Sequence, residues 1–165
     1  MSEVIRRIFA ENPIVYDSRF HIVRDKDPVC PEHYLVFPRT SSRSLAGLPS
    51  EQKEYLESLL CAVFGDRGFL FLERGNAKFC TSMNEPSYAH GHLVGTRYFK
   101  PGIMRHVGGF KSCIKASTLK EGLALLDCEQ EYLLAGELRG NWSAVISFNT
   151  PIKRYIRTIL GEMRA

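Results

Sequence analysis

Short apolar segments bounded by turn residues recur along the chain and predict strands. Segments of this length, flanked by Asp, Ser, Gly or Pro, are typical of antiparallel sheets whose strands are joined by short links. The predicted strands are Ile14–Tyr16, Phe20–Val23, His33–Phe37, Phe69–Glu73, Lys78–Ser82, Glu131–Ala135 and Trp142–Phe148, and the segment Tyr88–Val94 also has β character.

Other segments repeat their apolar residues with the period of a helix. Two of these segments begin with recognisable capping residues: a Ser/Thr-x-x-Glu capping box and a Thr-Pro pair at the N-cap and first helical position. The predicted helices are residues 2–11, residues 51–64 after an N-cap at Ser50, residues 119–126 after the capping box at Thr118, and the segment that follows Thr150 and Pro151.

Together these elements predict an α+β fold in which helices flank an antiparallel β-sheet, because hairpin-length links outnumber long crossovers. We expect residues 1–100 to form the core and residues 101–165 to form a C-terminal α/β extension packed on the same domain. The Gly-rich stretch from Lys100 to Ser112 is not assigned to any element.

Composition is that of a globular chain with a modest positive charge. The 165 residues are 44% hydrophobic and 24% charged, with a net charge of +4. Basic residues never run beyond pairs such as Arg6-Arg7, whereas strong nucleic-acid binders concentrate them on one face or segment. This charge suits a small anionic ligand and makes a nucleic-acid partner unlikely.

Two further features bear on the cellular compartment. No apolar run is long enough for a signal peptide or a membrane span, so we expect no membrane association. The five cysteines are widely spaced and form no Cys-x-x-Cys pair, which favours reduced thiols over disulfides or a zinc site. We therefore expect a cytoplasmic protein.

Two histidines, His90 and His92, lie two residues apart, so on a strand both imidazoles face the same side. Such a pair suits phosphoryl or nucleotidyl transfer, because one neutral ring nitrogen can attack phosphorus while the other ring hydrogen-bonds a phosphoryl oxygen. An isolated pair of this kind is more often two ordinary polar strand residues than a site. An iron site would need a carboxylate as well, and none lies close in sequence.

Two stretches together resemble the histidine-triad (HIT) superfamily. The first is the hairpin at residues 14–25, followed by Pro28, by Pro31-Glu32-His33 and by a strand that ends at Pro38-Arg39. The second is the histidine strand, which is similar to the family's His-Φ-His-Φ-His-Φ-Φ signature, where Φ is apolar. The resemblance covers residues 9–95 and implies the HIT-like fold.

The register that fits this signature best places Tyr88, His90 and His92 on the three histidine positions. The residues Leu93-Val94-Gly95 then match the apolar pair and the Pro or Gly that follow in the family. The other register, His90-His92-Val94, loses that match and would make His92 the nucleophile.

The resemblance implies a role for each residue of the site. His90 would take the α-phosphoryl group of a nucleotide as a covalent nucleotidyl-histidine, and His92 would bind and orient the phosphate. Asp25 would contact the ribose hydroxyls, and Asn84 the phosphate or the leaving group. Tyr88 departs from the family pattern, since a phenol with a pKa of about 10 is a different acid from histidine.

The function implied is that of a nucleotide phosphohydrolase or nucleotidyl transferase acting on a dinucleoside polyphosphate or a nucleoside phosphoramidate. The mechanism through His90 requires no metal or cofactor, although Mg²⁺ could accompany a polyphosphate. The resemblance also suggests a homodimer. Two alternatives stay open: a non-catalytic nucleotide- or partner-binding module with a degenerate triad, and an enzyme that removes adenylate from DNA ends, against which the scattered basic residues argue.

Three other features have less specific interpretations. We expect His33 to brace its loop, and His106 to lie in a flexible Gly-rich loop rather than in a phosphate-binding one. We expect Lys153, Arg154 and Arg157, on the polar side of the last helix, to be solvated, the alternative being contact with an anionic substrate.

Overall fold

The computed structural model of the chain describes residues 13–65, 67–77, 88–100, 113–126, 130–140, 142–146 and 155–165. In this part of the chain, eight strands form one sheet in the order β1-β2-β3-β5-β4-β7-β8-β6, and every neighbouring pair is antiparallel. The strands are β1 Pro13–Tyr16, β2 Phe20–Arg24, β3 His33–Pro38, β4 Phe69–Gly75, β5 Gly91–Gly95, β6 Cys113–Ala116, β7 Tyr132–Glu137 and β8 Trp142–Ile146.

Within the described ranges, three α-helices accompany the sheet: α1 Ser50–Phe64, α2 Leu119–Ala124 and α3 Tyr155–Glu162. The α+β fold with an antiparallel sheet and flanking helices is therefore confirmed. Strand β7 pairs with β4, so the strands after residue 100 extend the same sheet. The division at residue 100 into a core and an extension stays a prediction. No described helix is long and apolar enough to cross a membrane.

The sequence predicted some helix caps and strands correctly and others not. Thr118 caps α2 as predicted, and its Oγ1 accepts a hydrogen bond from the Glu121 N–H at 3.1 Å. The prediction for Ser50 was wrong, because Pro49 is the N-cap and Ser50 is the first residue of α1. Strand β6 was not predicted. The elements predicted at residues 2–11, at Lys78–Ser82 and at Thr150 and Pro151 lie outside the described residues.

The sheet is covered on both faces, and the alternation of side chains along β4 makes this clear. Phe69 and Phe71 pack in a core with the buried side of α1, whose Leu56, Leu60 and Phe64 recur every four residues. Leu70 and Leu72 point to the opposite face. A run of four apolar residues is thus buried on both sides of a central strand.

Helix α3 covers the second face of the sheet. Its Ile156, Ile159 and Leu160 are buried against Leu72 and Val94. Burying each of these aliphatic side chains contributes about 1.5–3 kcal/mol, so α3 is held firmly on this face. Val94 lies two residues from His92 on the same strand, and α3 therefore packs on the sheet face that carries the histidines.

Candidate functional site

Strand pairing brings two histidines into contact. In the antiparallel pair of β3 and β5, Leu35 lies opposite His92 and His33 lies opposite Val94. His33 and His92 are therefore diagonal neighbours on one face. His33 Nε2 lies 2.9 Å from His92 Nδ1, and both side chains are buried.

His90 precedes β5 and stands next to this pair. Its Nδ1 lies 2.9 Å from the carbonyl oxygen of Tyr88, and its ring stacks on Phe37 and lies 5.1 Å from the ring of His92, centroid to centroid. Gly91 is required behind the site, since a Cβ there would stand 2.2 Å from Cζ of Phe71. The absent side chain lets the histidine strand lie flat on the aromatic core.

The proton positions of the imidazoles follow from their partners. The backbone N–H of Val29 donates to His33 Nδ1 at 3.2 Å, so the hydrogen of neutral His33 is on Nε2. That hydrogen is donated to His92 Nδ1, which places the hydrogen of His92 on its own Nε2. His90 must donate from Nδ1 to the Tyr88 carbonyl, so its Nε2 keeps a free lone pair.

Burial keeps all three rings neutral near pH 7. Desolvation lowers the pKa of His33 to about 4, and it is also the main cause that lowers the pKa of His90 and takes that of His92 well below the ordinary value. The Arg157 guanidinium lowers all three pKa values further. A neutral ring is the form that can act as a nucleophile.

Asp25 follows β2 at the edge of the histidine cluster, and its carboxylate is fully engaged. Its Oδ1 accepts a hydrogen bond from the Asp27 N–H at 3.0 Å. Its Oδ2 lies 3.3 Å from His33 Nε2 and 2.5 Å from Arg157 Nη2. The structure thus joins an aspartate after β2 to an arginine on α3.

Three ligand atoms of Asp25, His33 and His92 lie within 4.8 Å of one another, a spacing that could hold a metal ion. The hydrogen bond from Val29 argues for another interpretation. It keeps the hydrogen of His33 on the same Nε2 that a metal would need, and the Arg157 guanidinium already neutralises the carboxylate. The donor set fits a hydrogen-bonded relay better than a metal centre.

A short loop between β3 and α1 is fixed to the sheet beside the histidines. The Ser42 carbonyl accepts a hydrogen bond from the Ala89 N–H at 2.8 Å, directly before His90. The buried carboxyl of Glu73 accepts hydrogen bonds from the Leu45 N–H at 2.7 Å and from the Tyr132 hydroxyl at 2.6 Å. Burial raises the pKa of Glu73 to about 8.

A groove opens to solvent next to His90. It lies between residues 37–42 and the pair Tyr88 and Ala89, which directly precede His90 in the chain. The side chain of Tyr88 packs against an apolar group formed by Val23, Leu35 and Phe37. Tyr88 therefore serves His90 through its backbone carbonyl, while its ring forms part of the groove wall.

The sequence-predicted site residues have different outcomes. The structure brings His90, His92 and Asp25 together around His33, and places Tyr88 at the rim; their chemical roles stay predictions. Asn84, His106, Lys153 and Arg154 lie outside the described residues. Sequence reasoning missed the contact of His33 with His92 and that of Arg157 with Asp25. No local signal in the sequence indicates either contact, because each joins residues far apart in the chain.

Comparison with known proteins gives structural matches only. No protein-family model and no curated protein matches the chain. Yeast Ap4A phosphorylase Apa2 in complex with AMP aligns over 89% of this chain and 64% of its own, at 15% identity and a TM-score of 0.54. The complex of the same phosphorylase with Ap4A aligns over 81% of this chain and 58% of its own, at 14% identity and a TM-score of 0.50.

The chain thus spans less than two thirds of the phosphorylase it matches. A smaller structure described as a HIT-like protein is covered over 98% of its length and matches 57% of this chain, at 20% identity and a TM-score of 0.45. The fold defines an α+β protein with a buried histidine cluster on one face of an antiparallel sheet. Over the aligned length the chain has the fold of the yeast phosphorylase, and at these identities the match shows the fold alone.

Proposed function

We propose that the chain processes nucleotides at their α-phosphate through a nucleotidyl-histidine intermediate on His90. The observation that carries this proposal is the hydrogen bond from His90 Nδ1 to the Tyr88 carbonyl. It directs the lone pair at Nε2 away from the backbone and favours His90 over His92 as the nucleophile. The AMP and Ap4A complexes of the phosphorylase support a nucleotide or dinucleoside polyphosphate as ligand.

In the first step the Nε2 lone pair of His90 forms a bond to the α-phosphorus. The bond from phosphorus to the leaving phosphate breaks, and that group departs with the electron pair. In the second step the oxygen of a water or acceptor attacks the same phosphorus, the phosphorus–nitrogen bond breaks, and His90 recovers its lone pair while the attacking oxygen loses its proton to solvent. No metal or cofactor is required in either step.

His92 and His33 stabilise the charge on the phosphoryl oxygens. The Nε2–H of His92 donates to a nonbridging oxygen, and His33 keeps this tautomer in place through His92 Nδ1. A fixed donor aimed at developing negative charge stabilises the transition state more than a solvated one. We place the leaving group in the groove lined by residues 37–42, Tyr88 and Ala89.

A turnover assay with a panel of dinucleoside polyphosphates and nucleoside phosphoramidates tests this proposal. We expect release of nucleoside monophosphate by the wild type, and a loss of at least about a thousandfold in His90→Ala, because the nucleophile is removed. Ser58→Ala, on the exposed side of α1, is the matched control and should retain full activity. Equal turnover by His90→Ala and the wild type would exclude the mechanism.

A non-catalytic nucleotide-binding module is the second candidate. It is favoured by Tyr88 at the position of the first triad histidine, because a phenol is a different acid from an imidazole. This alternative predicts nucleotide binding without product release in the wild type. A cytoplasmic location and a homodimer remain part of the proposal.

A further inference from the structure

The guanidinium of Arg157 contacts Asp25, the residue to which the resemblance assigns the ribose contact. Its Nη2 lies 2.5 Å from Asp25 Oδ2, and its Nη1 donates to the carbonyl oxygen of Asp27. The side chain of Arg157 is 18% exposed, whereas that of Asp25 is 3% exposed. A ligand that approaches this position meets the arginine before the aspartate.

This arrangement leaves little of Asp25 for a sugar. Its Oδ1 accepts from the Asp27 N–H, and its Oδ2 faces both Arg157 and His33. Among the described contacts, the two hydrogen bonds of Arg157 use two of its five N–H donors. The position therefore offers the remaining N–H donors of Arg157, while the acceptor oxygens of Asp25 that ribose hydroxyls would need are already engaged.

We propose that Arg157 binds a phosphoryl group on the ribose, so that the preferred ligand is a nucleotide with a second phosphate on its 2′ or 3′ oxygen. The inference rests on the proposed nucleotide site. Elsewhere, sites that recognise ribose hydroxyls use a carboxylate, and sites that accept a ribose phosphate use an arginine. A guanidinium matches the planar arrangement of phosphate oxygens and forms charge-assisted hydrogen bonds with them.

The rest of the pocket is consistent with this ligand. Arg157 is connected to the histidines by direct contacts, since Asp25 Oδ2 lies 2.5 Å from Arg157 Nη2 and 3.3 Å from His33 Nε2. His33 in turn contacts His92, whose ring lies 5.1 Å from that of His90. Apolar packing of Ile156, Ile159 and Leu160 fixes α3 on the sheet, which keeps the arginine at this position. A 5′-phosphate at the histidines and a ribose phosphate at Arg157 would then be bound together.

Equilibrium titration of the full chain with AMP, adenosine 2′,5′-bisphosphate and adenosine 3′,5′-bisphosphate tests the inference. We expect one bisphosphate to bind about tenfold more tightly than AMP, the effect of one charge-assisted hydrogen bond. The preference should vanish in Arg157→Gln and persist in Arg67→Gln, a matched loss of an exposed arginine at the end of α1. Arg157→Lys, which keeps the charge and the pairing with Asp25, should retain part of it.

The outcomes separate the two proposals. AMP binding with no preference for either bisphosphate, or a preference unchanged in Arg157→Gln, would overturn the role of Arg157 and leave the nucleotide site intact. Failure of the wild type to bind any of the three nucleotides would overturn both. The dinucleotide pApA shows whether the second phosphate belongs to an RNA 5′ end or to a free nucleotide. Binding as tight as that of the 3′,5′-bisphosphate would indicate an RNA 5′ end, and weaker binding would indicate a free nucleotide.

Discussion

His33 Nε2 lies 2.9 Å from Nδ1 of His92, and this contact connects the first residue of β3 to the histidine strand. Because the Val29 N–H occupies the other nitrogen of His33, the hydrogen between the two rings belongs to His33. The relay therefore keeps the hydrogen of His92 on its Nε2, which is the nitrogen that can donate to a ligand. The pairing of β3 with β5 brings the two imidazoles into hydrogen-bonding distance and so sets the tautomer of His92.

The relay predicts a definite tautomer for each ring. Near pH 7, long-range ¹H–¹⁵N spectra of the imidazoles should place the hydrogen of His90 on Nδ1 and that of His92 on Nε2. In His33→Ala, His92 Nδ1 loses its donor, so we expect a mixture of His92 tautomers while His90 is unchanged. A His92 that carries its hydrogen on Nδ1 in the wild type would contradict the relay.

Acid should destabilise the fold through His33. Its pKa is about 4 in the folded protein and near 6.5 when unfolded, so the unfolded chain binds more protons between these values. The contribution of His33 to the free energy of unfolding is therefore complete above pH 6.5. It falls by about 3 kcal/mol as the pH is lowered towards 4. Urea unfolding of the wild type and His33→Asn at pH 6.5 and 4.5 should give a smaller loss in the variant.

Alkaline conditions should destabilise the fold through Glu73. Burial raises the pKa of Glu73 to about 8 in the folded protein, whereas the pKa in the unfolded chain is near 4.5. The contribution of Glu73 to the free energy of unfolding is therefore complete below pH 4.5 and is lost as the pH rises through 8. Between pH 6.5 and 9 we expect this group to cost about 2 kcal/mol. Glu73→Gln, which retains partners for Leu45 and Tyr132, should remove the decline. The exposed Glu137→Gln should leave it unchanged, and an equal decline in Glu73→Gln would refute this assignment.

Gly91 should tolerate no side chain. A Cβ there would overlap the ring of Phe71, so Gly91→Ala must push the histidine strand off the core. We expect a loss of about 1–3 kcal/mol in the free energy of unfolding, as for other overpacked cores. Gly161→Ala on α3 is the control, since a Cβ added there would meet no atom within 4 Å and a small gain in helix stability is expected. Recovery of stability in Gly91→Ala combined with Phe71→Leu would support the steric cause.

The sequence predicted those features that depend on local chemistry. The N-cap at Thr118 and the strand at Phe69–Glu73 are both read from neighbouring residues, and both were confirmed. Ser50 was misplaced because Pro49, which has no N–H and favours extended backbone before a helix, takes the cap position. A cap assigned one residue late does not alter the buried face of the helix.

The contacts that complete the site could not be predicted in this way. Arg157 is separated from Asp25 by 132 positions, and their pairing depends on how α3 packs on the sheet. The contact of His33 with His92 depends on the register of β3 against β5, which a single sequence does not specify. In the part of the chain that the structure describes, the short strand β6 pairs with β8, which lies 26 or more positions further along the chain.

The most direct test of His90 as the nucleophile is to trap the intermediate on the protein. Wild type, His90→Ala and His92→Ala would be incubated with a dinucleoside polyphosphate labelled at its α-phosphoryl groups, then denatured in alkali. We expect acid-labile label on the wild type, label that forms more slowly in His92→Ala, and none in His90→Ala. Label retained by His90→Ala, or lost only from His92→Ala, would contradict His90 as the nucleophile.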